Sequence, residues 1–142
     1  MRTLALLLAL VLLPAAAFAA EPTIPVRVRI IKGSHQGPPA VDPRLHDLSG
    51  QLGKLSYQRW DQVGEEQRAM AFKKPVDLAL PGGEVLQLVL ESAHEATITI
   101  QVKVPARKTQ SRITISKTQR IVHQVTDERN GEAVFTSIRP WP

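Results

Sequence analysis

Apolar and polar residues alternate along most of this chain, and a period of two residues is the pattern of half-buried β-strands. Turn signals separate the alternating segments, as at Pro81-Gly82-Gly83 and Asn130-Gly131, where a tight hairpin needs positive φ. The pattern predicts about seven to nine short strands, joined mainly by hairpins. The expected strands include residues 24–30, 76–80, 86–90, 98–104, 113–115 and 133–138.

The pattern is less regular between some of these segments. Residues 55–63 and 68–73 predict two paired strands, with residues 61–67 as the loop that joins them. Residues 33–41 contain Gly37 and two prolines and are expected to form a loop, and residues 92–96 are expected to form a turn. Because proline lacks a backbone N–H, Pro140 is not expected to extend a sheet ladder.

One helix is predicted over residues 43–53. Asp42 is a suitable N-cap, since its carboxylate accepts from free backbone N–H groups, and Pro43 is tolerated at the first helical position. Leucines then follow at spacings of three and four residues, which places them on one face of a helix: Leu45, Leu48, Leu52 and Leu55.

These elements together predict a mainly β fold. Successive hairpins favour an antiparallel, β-sandwich-like domain, and the short helix near its amino end would pack on one face. No repeat of fixed period and no low-complexity linker divides the chain.

The amino end reads as a cleavable export signal. Arg2 precedes an unbroken apolar run over residues 4–13, Pro14 ends that run, and Ala17-Phe18-Ala19 offers small residues to a signal peptidase. We expect residues 1–19 to be removed and residues 20–142 to form a single β-rich domain in the periplasm or outside the cell. The chain has no cysteine, so no lipid anchor is expected at the cleavage site and stability must come from packing. No membrane span is expected after cleavage, since no second apolar run is long enough to cross a bilayer.

Positive charge is concentrated in one part of the chain, whose overall net charge is +5. Residues 96–126 contain no acidic residue. They could contact an anionic polymer, lipid head groups or an acidic protein, or form a solvated strand face that protects a sheet edge. Trp141, between two prolines, could dock a partner or fold back onto the domain. The candidate contact residues are Lys103, Arg107, Lys108, Arg112, Lys117, Arg120 and Trp141.

No motif in the sequence indicates catalysis. There is no cysteine nucleophile, no G-x-S-x-G turn and no phosphate-binding glycine loop, and the four histidines are not at metal-ligand spacing. The domain is therefore expected not to be an enzyme and to use no cofactor or metal, although convergence of His94 and His123 in the fold is left open. Nucleic-acid binding is not expected, because the basic segment has no interleaved aromatic residues. Tyr57 and Trp60 fit core packing or, alternatively, a carbohydrate-stacking platform.

Several short segments carry a resemblance. Val41-Asp42-Pro43-Arg44-Leu45, Tyr57-Gln58-Arg59-Trp60 and Leu80-Pro81-Gly82-Gly83 follow one another in the chain. In this arrangement the chain resembles small exported β-rich proteins of unassigned function from myxobacteria and related Gram-negative bacteria. Its closing strands are also similar to the β-rich end of secretin-like envelope proteins, without the Gly-Gly pair before the last strand. The resemblance implies an exported β-rich fold and no catalytic residues.

The leading functional hypothesis is a non-enzymatic periplasmic or secreted β-domain that binds another envelope component, either a protein or an anionic polymer. One alternative is an accessory subunit of a trans-envelope secretion or surface-motility complex. Another is a small hydrolase whose site assembles only in the folded chain.

Overall fold

Two β-sheets and a short helical segment make up the fold in a computed structural model that describes residues 22–141. The predicted export signal and its cleavage site lie outside the described residues. The helical segment (residues 43–52) consists of a 3₁₀ helix, Pro43–Leu48, and one α-helical turn, α1, Ser49–Leu52. The strands are β1 Thr23–Ser34, β2 Ala40–Val41, β3 Arg59–Ala71, β4 Pro75–Ala79, β5 Val85–His94, β6 Thr97–Val104, β7 Thr109–Ser116, β8 His123–Gln124 and β9 Glu132–Pro140.

The strands form two packed sheets, as the alternation predicted. Sheet A has the order β2-β3-β1-β9-β8, and sheet B has the order β4-β5-β6-β7. All of the paired strands run antiparallel except β2 and β3. Alternate apolar residues of both sheets meet in the main core, for example Val26 and Val28 from β1 with Leu88 from β5 and Ile100 from β6. The prediction of a β-sandwich-like fold is confirmed.

Sheet A is covered on its second face by the helical segment. Asp42 caps that segment, because its carboxylate accepts from the backbone N–H of Arg44 at 3.0 Å. The buried leucines of the segment form a second core with the outward-facing residues of sheet A, namely Leu45, Leu48 and Leu52 with Ile31, Trp60, Ala133 and Phe135. The prediction for Leu55 was wrong: it is 36% exposed, because the helix ends at Leu52.

The third strand is longer than predicted. Two strands and a loop over residues 61–67 were expected, but β3 runs unbroken from Arg59 to Ala71. Its polar residues form a ladder with β1 from Thr23↔Ala71 to Ser34↔Arg59, and this pairing holds them extended. One irregularity interrupts the ladder, since Ile30 pairs with Gly64 and Ile31 pairs with Gln62. Val63 is therefore the extra residue of a β-bulge.

Other boundaries differ slightly from the prediction. The loop expected over residues 33–41 is shorter, because Gly33 and Ser34 still pair with β3 and β9. The turn expected over residues 92–96 is also shorter, since β5 continues to His94 and β6 begins at Thr97. Pro140 does extend the ladder, opposite Val26. It can do so because it ends β9, and the next N–H, of Trp141, donates to the carbonyl oxygen of Pro25 at 2.9 Å.

Both hairpin turns predicted from glycine are present. Gly82 and Gly83 have φ of 87° and 84°, and Asn130 and Gly131 have φ of 55° and 74°. Among residues 22–141, no helix is long and apolar enough to cross a membrane.

Candidate functional site

The basic segment of residues 96–126 does not form one surface. Arg107 is a largely buried structural residue, whose guanidinium pairs with Glu84 at 2.8 Å and with Asp127 at 2.8 Å. The hydrogen bond that Arg107 donates to Asp127, and then the one that it donates to Glu84, raise the pKa of Arg107 against the opposing effect of burial. Arg112 pairs with Glu91 at 2.6 Å. Two arginines of the segment, Arg107 and Arg112, are thus engaged in ion pairs within the protein.

The lysines of the segment are spread over different places. Lys103 lies on the outer face of sheet B, because its neighbours Val102 and Val104 point into the core. Lys108 occupies a left-handed position with φ of 55° at the start of β7, and Lys117 is exposed beyond the end of that strand. Of the predicted contact residues, the structure places Arg120 and Trp141 on the outer face of sheet A, and Lys103 and Arg112 on the outer face of sheet B.

Arg120 reaches that face because its loop crosses sheet A beside the helical segment. The backbone N–H of Val122 donates to the side-chain oxygen of Gln51 at 3.0 Å, and Val122 packs against the second core. This fixes the loop between β7 and β8 over the sheet. The Arg120 guanidinium then hydrogen-bonds to the carboxylate of Asp47.

Strand register places three further arginines on the same face. Arg27 and Arg29 of β1 point outward with Ile31, and Arg139 of β9 lies directly opposite Arg27. On the other side of β1, Glu65 lies opposite Arg29. We call Arg27, Arg29, Arg120 and Arg139 the arginine cluster.

Two carboxylates belong to the arginine cluster. Asp47 accepts from both ends of the Arg29 guanidinium, at 2.9 Å and 2.8 Å, and also from Arg120. Arg29 is 4% exposed, so its side of this fork-shaped pair is shielded from water, while the Asp47 side chain is 33% exposed. The hydrogen bonds from Arg29, and then those from Arg120, lower the pKa of Asp47 from 3.8 to about 2 against the opposing effect of burial. Glu65 pairs with Arg27, whose hydrogen bond lowers the pKa of Glu65.

Arg139 has no carboxylate partner among the described residues. Its Nε is buried and has no hydrogen-bond acceptor. Burial, and then the positive charges of Arg120, Arg27 and Arg29, lower the pKa of Arg139. Four guanidinium groups therefore face two carboxylates, and the unmatched positive charge is concentrated at the Arg139 end of the cluster.

Trp141 folds back over this end of the sheet. Its backbone is fixed by the hydrogen bond to Pro25, and its ring lies 5.5 Å from the guanidinium carbon of Arg27 and 5.3 Å from that of Arg139. Cations attract the face of an indole ring, so Trp141 partly compensates the repulsion between the two arginines. It does not supply an acceptor to the Arg139 Nε.

A second candidate lies at the open edge between the sheets. A cleft of about 370 Å³ separates β7 from the strand β8, and Ser111 and His123 line it. The Ser111 hydroxyl lies 2.7 Å from the Nε2 of His123, and burial lowers the pKa of His123. Asp127 also lines the cleft, but its carboxylate is held by Arg107. We call this place the edge cleft.

The remaining aromatic residues and histidines do not form a further site. Trp60 is 2% exposed and meets Phe135 and Tyr57 edge-to-face, so it belongs to the second core and not to a surface platform. His35 stacks on Tyr57 and pairs with Glu128. Within residues 22–141, no group of three His, Asp or Glu side chains is placed to hold a metal ion.

Sequence reasoning missed most of the arginine cluster. Arg27 and Arg29 were interpreted only as the solvent side of a strand, and Arg139 was not considered. The available signal was the alternation of two arginines on β1 together with an arginine two residues before Trp141. What it lacked was the register that pairs β1 with β9. Comparisons with protein-family models, curated proteins and solved structures find no match to this chain.

Proposed function

We propose that this protein is a non-enzymatic β-domain, periplasmic or secreted, that binds an anionic component of the cell envelope at the arginine cluster. The carrying observation is the buried Nε of Arg139, which has no acceptor although Arg139 lies directly opposite another arginine. Buried donors are normally hydrogen-bonded, and like charges directly opposite in a sheet destabilise it. A bound anion would satisfy the donor and neutralise the repulsion.

The export signal and the basic net charge of +5 support the same proposal. An anionic envelope polymer would meet a positively charged domain, and binding would weaken with salt because the ions screen exposed charges. Arg120 is the residue of the basic segment that belongs to the arginine cluster, where it shares Asp47 with Arg29, whereas Arg107 and Arg112 pair with carboxylates elsewhere.

The test is retention of the purified protein on a sulfated polysaccharide matrix, eluted with a salt gradient. Arg139→Gln and Arg120→Gln should each elute at lower salt than the unchanged protein. The matched control is Arg112→Gln, which also removes one positive charge but from the outer face of sheet B. It should elute at nearly the same salt concentration as Lys103→Gln, which loses one charge on that same face. If Lys103→Gln, Lys108→Gln and Arg112→Gln weaken retention more than Arg139→Gln, the basic segment is the contact and the arginine cluster is not.

The first alternative is an accessory subunit of a trans-envelope complex, and the position of Trp141 supports it. Its ring lies at the end of the sheet, beside two arginines, and is only partly buried. Pull-down from an envelope fraction should then recover a protein partner that is lost with Trp141→Ala and kept with Arg112→Gln. Recovery of the same partner by both variants would remove this alternative.

A small hydrolase is the second alternative, and the edge cleft is the observation that favours it. Burial lowers the pKa of His123 and so favours the neutral imidazole, whose Nε2 would accept the Ser111 proton as the oxygen attacks an acyl group. No carboxylate among residues 22–141 hydrogen-bonds to the His123 ring, so the pair lacks the third member of a triad. A fluorophosphonate probe should label Ser111 and not the Ser111→Ala variant, whereas absence of labelling in the unchanged protein rejects the alternative.

A further inference from the structure

The arginine cluster has a specific unmet requirement for charge. Arg27 is paired with Glu65, and Arg29 is paired with Asp47, which also accepts from Arg120. One carboxylate therefore serves two arginines, while Arg139 has none. Two positive charges remain without a counterpart within the cluster.

The cluster also has a specific unmet requirement for acceptors. Arg139 has a buried Nε without a hydrogen-bond partner, and the Arg120 side chain, 44% exposed, is held by a carboxylate that it shares. Guanidinium groups bind oxyanions through paired N–H donors, so two guanidinium groups, one on β9 and one in the loop before β8, need several oxygen atoms pointing in different directions.

From these two requirements we infer that the arginine cluster selects a phosphate monoester, and this inference rests on the proposed function. A phosphomonoester carries close to two negative charges at neutral pH and presents three terminal oxygens. It would match both uncompensated charges and give acceptors to Arg139 and Arg120 together. A carboxylate has one charge and two oxygens in one plane, and a phosphodiester has one charge, so each would leave one guanidinium unmatched.

Trp141 restricts how such a group enters. Its ring lies against Arg27 and Arg139 and its backbone is tied to Pro25. The phosphate would approach beside the indole ring, and the group that carries the phosphate would lie against it. A phosphate that draws the Arg139 guanidinium away from the ring changes the surroundings of the indole, so binding should alter the fluorescence of Trp141.

The test is calorimetric titration of the purified protein with phenyl phosphate, methyl phenyl phosphate and benzoate, which share an aromatic ring and differ in the anionic group. At pH 7.5, phenyl phosphate should bind at least about tenfold more tightly than either monoanion, since charge-assisted hydrogen bonds are lost with the second charge. At pH 5.0 the advantage should shrink, because the second pKa of a phosphomonoester is about 6. Arg139→Gln and Arg120→Gln, the latter in the exposed loop, should each lower the affinity for phenyl phosphate about tenfold. Arg112→Gln should leave that affinity unchanged.

Vesicles separate the two sources of a phosphomonoester. If the group belongs to a lipid, flotation with phosphatidic acid vesicles should exceed flotation with phosphatidylglycerol vesicles at equal charge density. If it belongs to a soluble or polymeric molecule, phenyl phosphate should bind in solution and both vesicles should fail. Either result supports monoester recognition when it depends on Arg139.

Two results would overturn the inference, and they differ in what they imply for the proposed function. Equal affinity for all three anions, still dependent on Arg139, rejects selection of the monoester and leaves anion binding intact. Absence of binding to every anion and to the sulfated matrix rejects both. Circular dichroism of each variant establishes that a lost affinity reflects the site and not an unfolded chain.

Discussion

Individual residues decide how tightly the two cores close. Gly33 lies in β1 beneath the second core, where a Cβ atom would stand 2.9 Å from Cζ3 of Trp60 and 3.1 Å from Cε2 of Phe135. Both rings are packed and nearly inaccessible to solvent, so they cannot move aside cheaply. A glycine within a strand is otherwise unfavourable, and near the end of β1 it is required by the close approach of the two rings.

Gly33→Ala should lower the free energy of unfolding by about 1–3 kcal/mol, because overpacking forces the rings out of place. Gly50→Ala is the matched control, since a Cβ at that helical position meets nothing within 4 Å and alanine restricts the unfolded chain. It should leave stability unchanged or raise it by up to about 1 kcal/mol. Chemical denaturation of both variants measures the difference, and equal effects would contradict the packing argument.

Asp47 is the residue on which the buried side of the arginine cluster depends. Asp47→Asn leaves the guanidinium of Arg29, 4% exposed, without its counter-charge, and should cost about 3 kcal/mol of unfolding free energy. Asp61→Asn removes a carboxylate from a more exposed pair with Arg59 and should cost less than about 1 kcal/mol. Similar losses in the two variants would show that burial of Arg29 does not matter.

Acidification should act through the same carboxylate. The hydrogen bonds from Arg29 lower the pKa of Asp47 from 3.8 to about 2, so the folded protein binds this proton more weakly than the unfolded chain does. The stabilisation is fully present above about pH 4 and is lost as the pH falls toward 2. Thermal melts across that pH range should show that the melting temperature of the unchanged protein falls more steeply with decreasing pH than that of Asp47→Asn.

At the scale of elements, the sequence predicted best where one residue type determines the backbone. Asp42 and Pro43 located the helical segment, and Gly82 and Asn130-Gly131 located hairpins, because capping and positive φ are local requirements. The continuous β3 was missed because Asp61, Glu65 and Glu66 suggest a solvated loop, whereas pairing with β1 decides their conformation. The arginine cluster was missed for a similar reason, since it exists only through the register of β1 with β9.

The bulge in β3 gives a direct test of register. Val63 is the extra residue, so its deletion should restore a regular ladder and leave Glu65 opposite Arg29 and Met70 opposite Ile24. The fold should tolerate that deletion with little change in stability. Deletion of Ala69 should instead turn Met70, fully buried, out of the main core and cost about 2 kcal/mol or more. Thermal melts of the two deletion variants measure this difference. Equal melting temperatures would show that β3 has no fixed register.

On the scale of the whole molecule, sheet A is the centre of the fold. One of its faces packs on sheet B, and the other carries the helical segment and the arginine cluster. Its two central strands, β1 and β9, come from opposite ends of the described chain. Six consecutive residues of β9, 133–138, are buried, because neighbouring structure covers both of its faces.

The central position of β9 also sets the order in which the domain can be completed. β1 is made first, yet it borders a strand that follows about a hundred residues later, and such long-range pairing is slow to form. Until β9 has been made, β1 lacks one of its two neighbours in sheet A, and the chain can remain extended. The proposed export would benefit from that delay, since a chain crosses a membrane more readily before its sheets have closed.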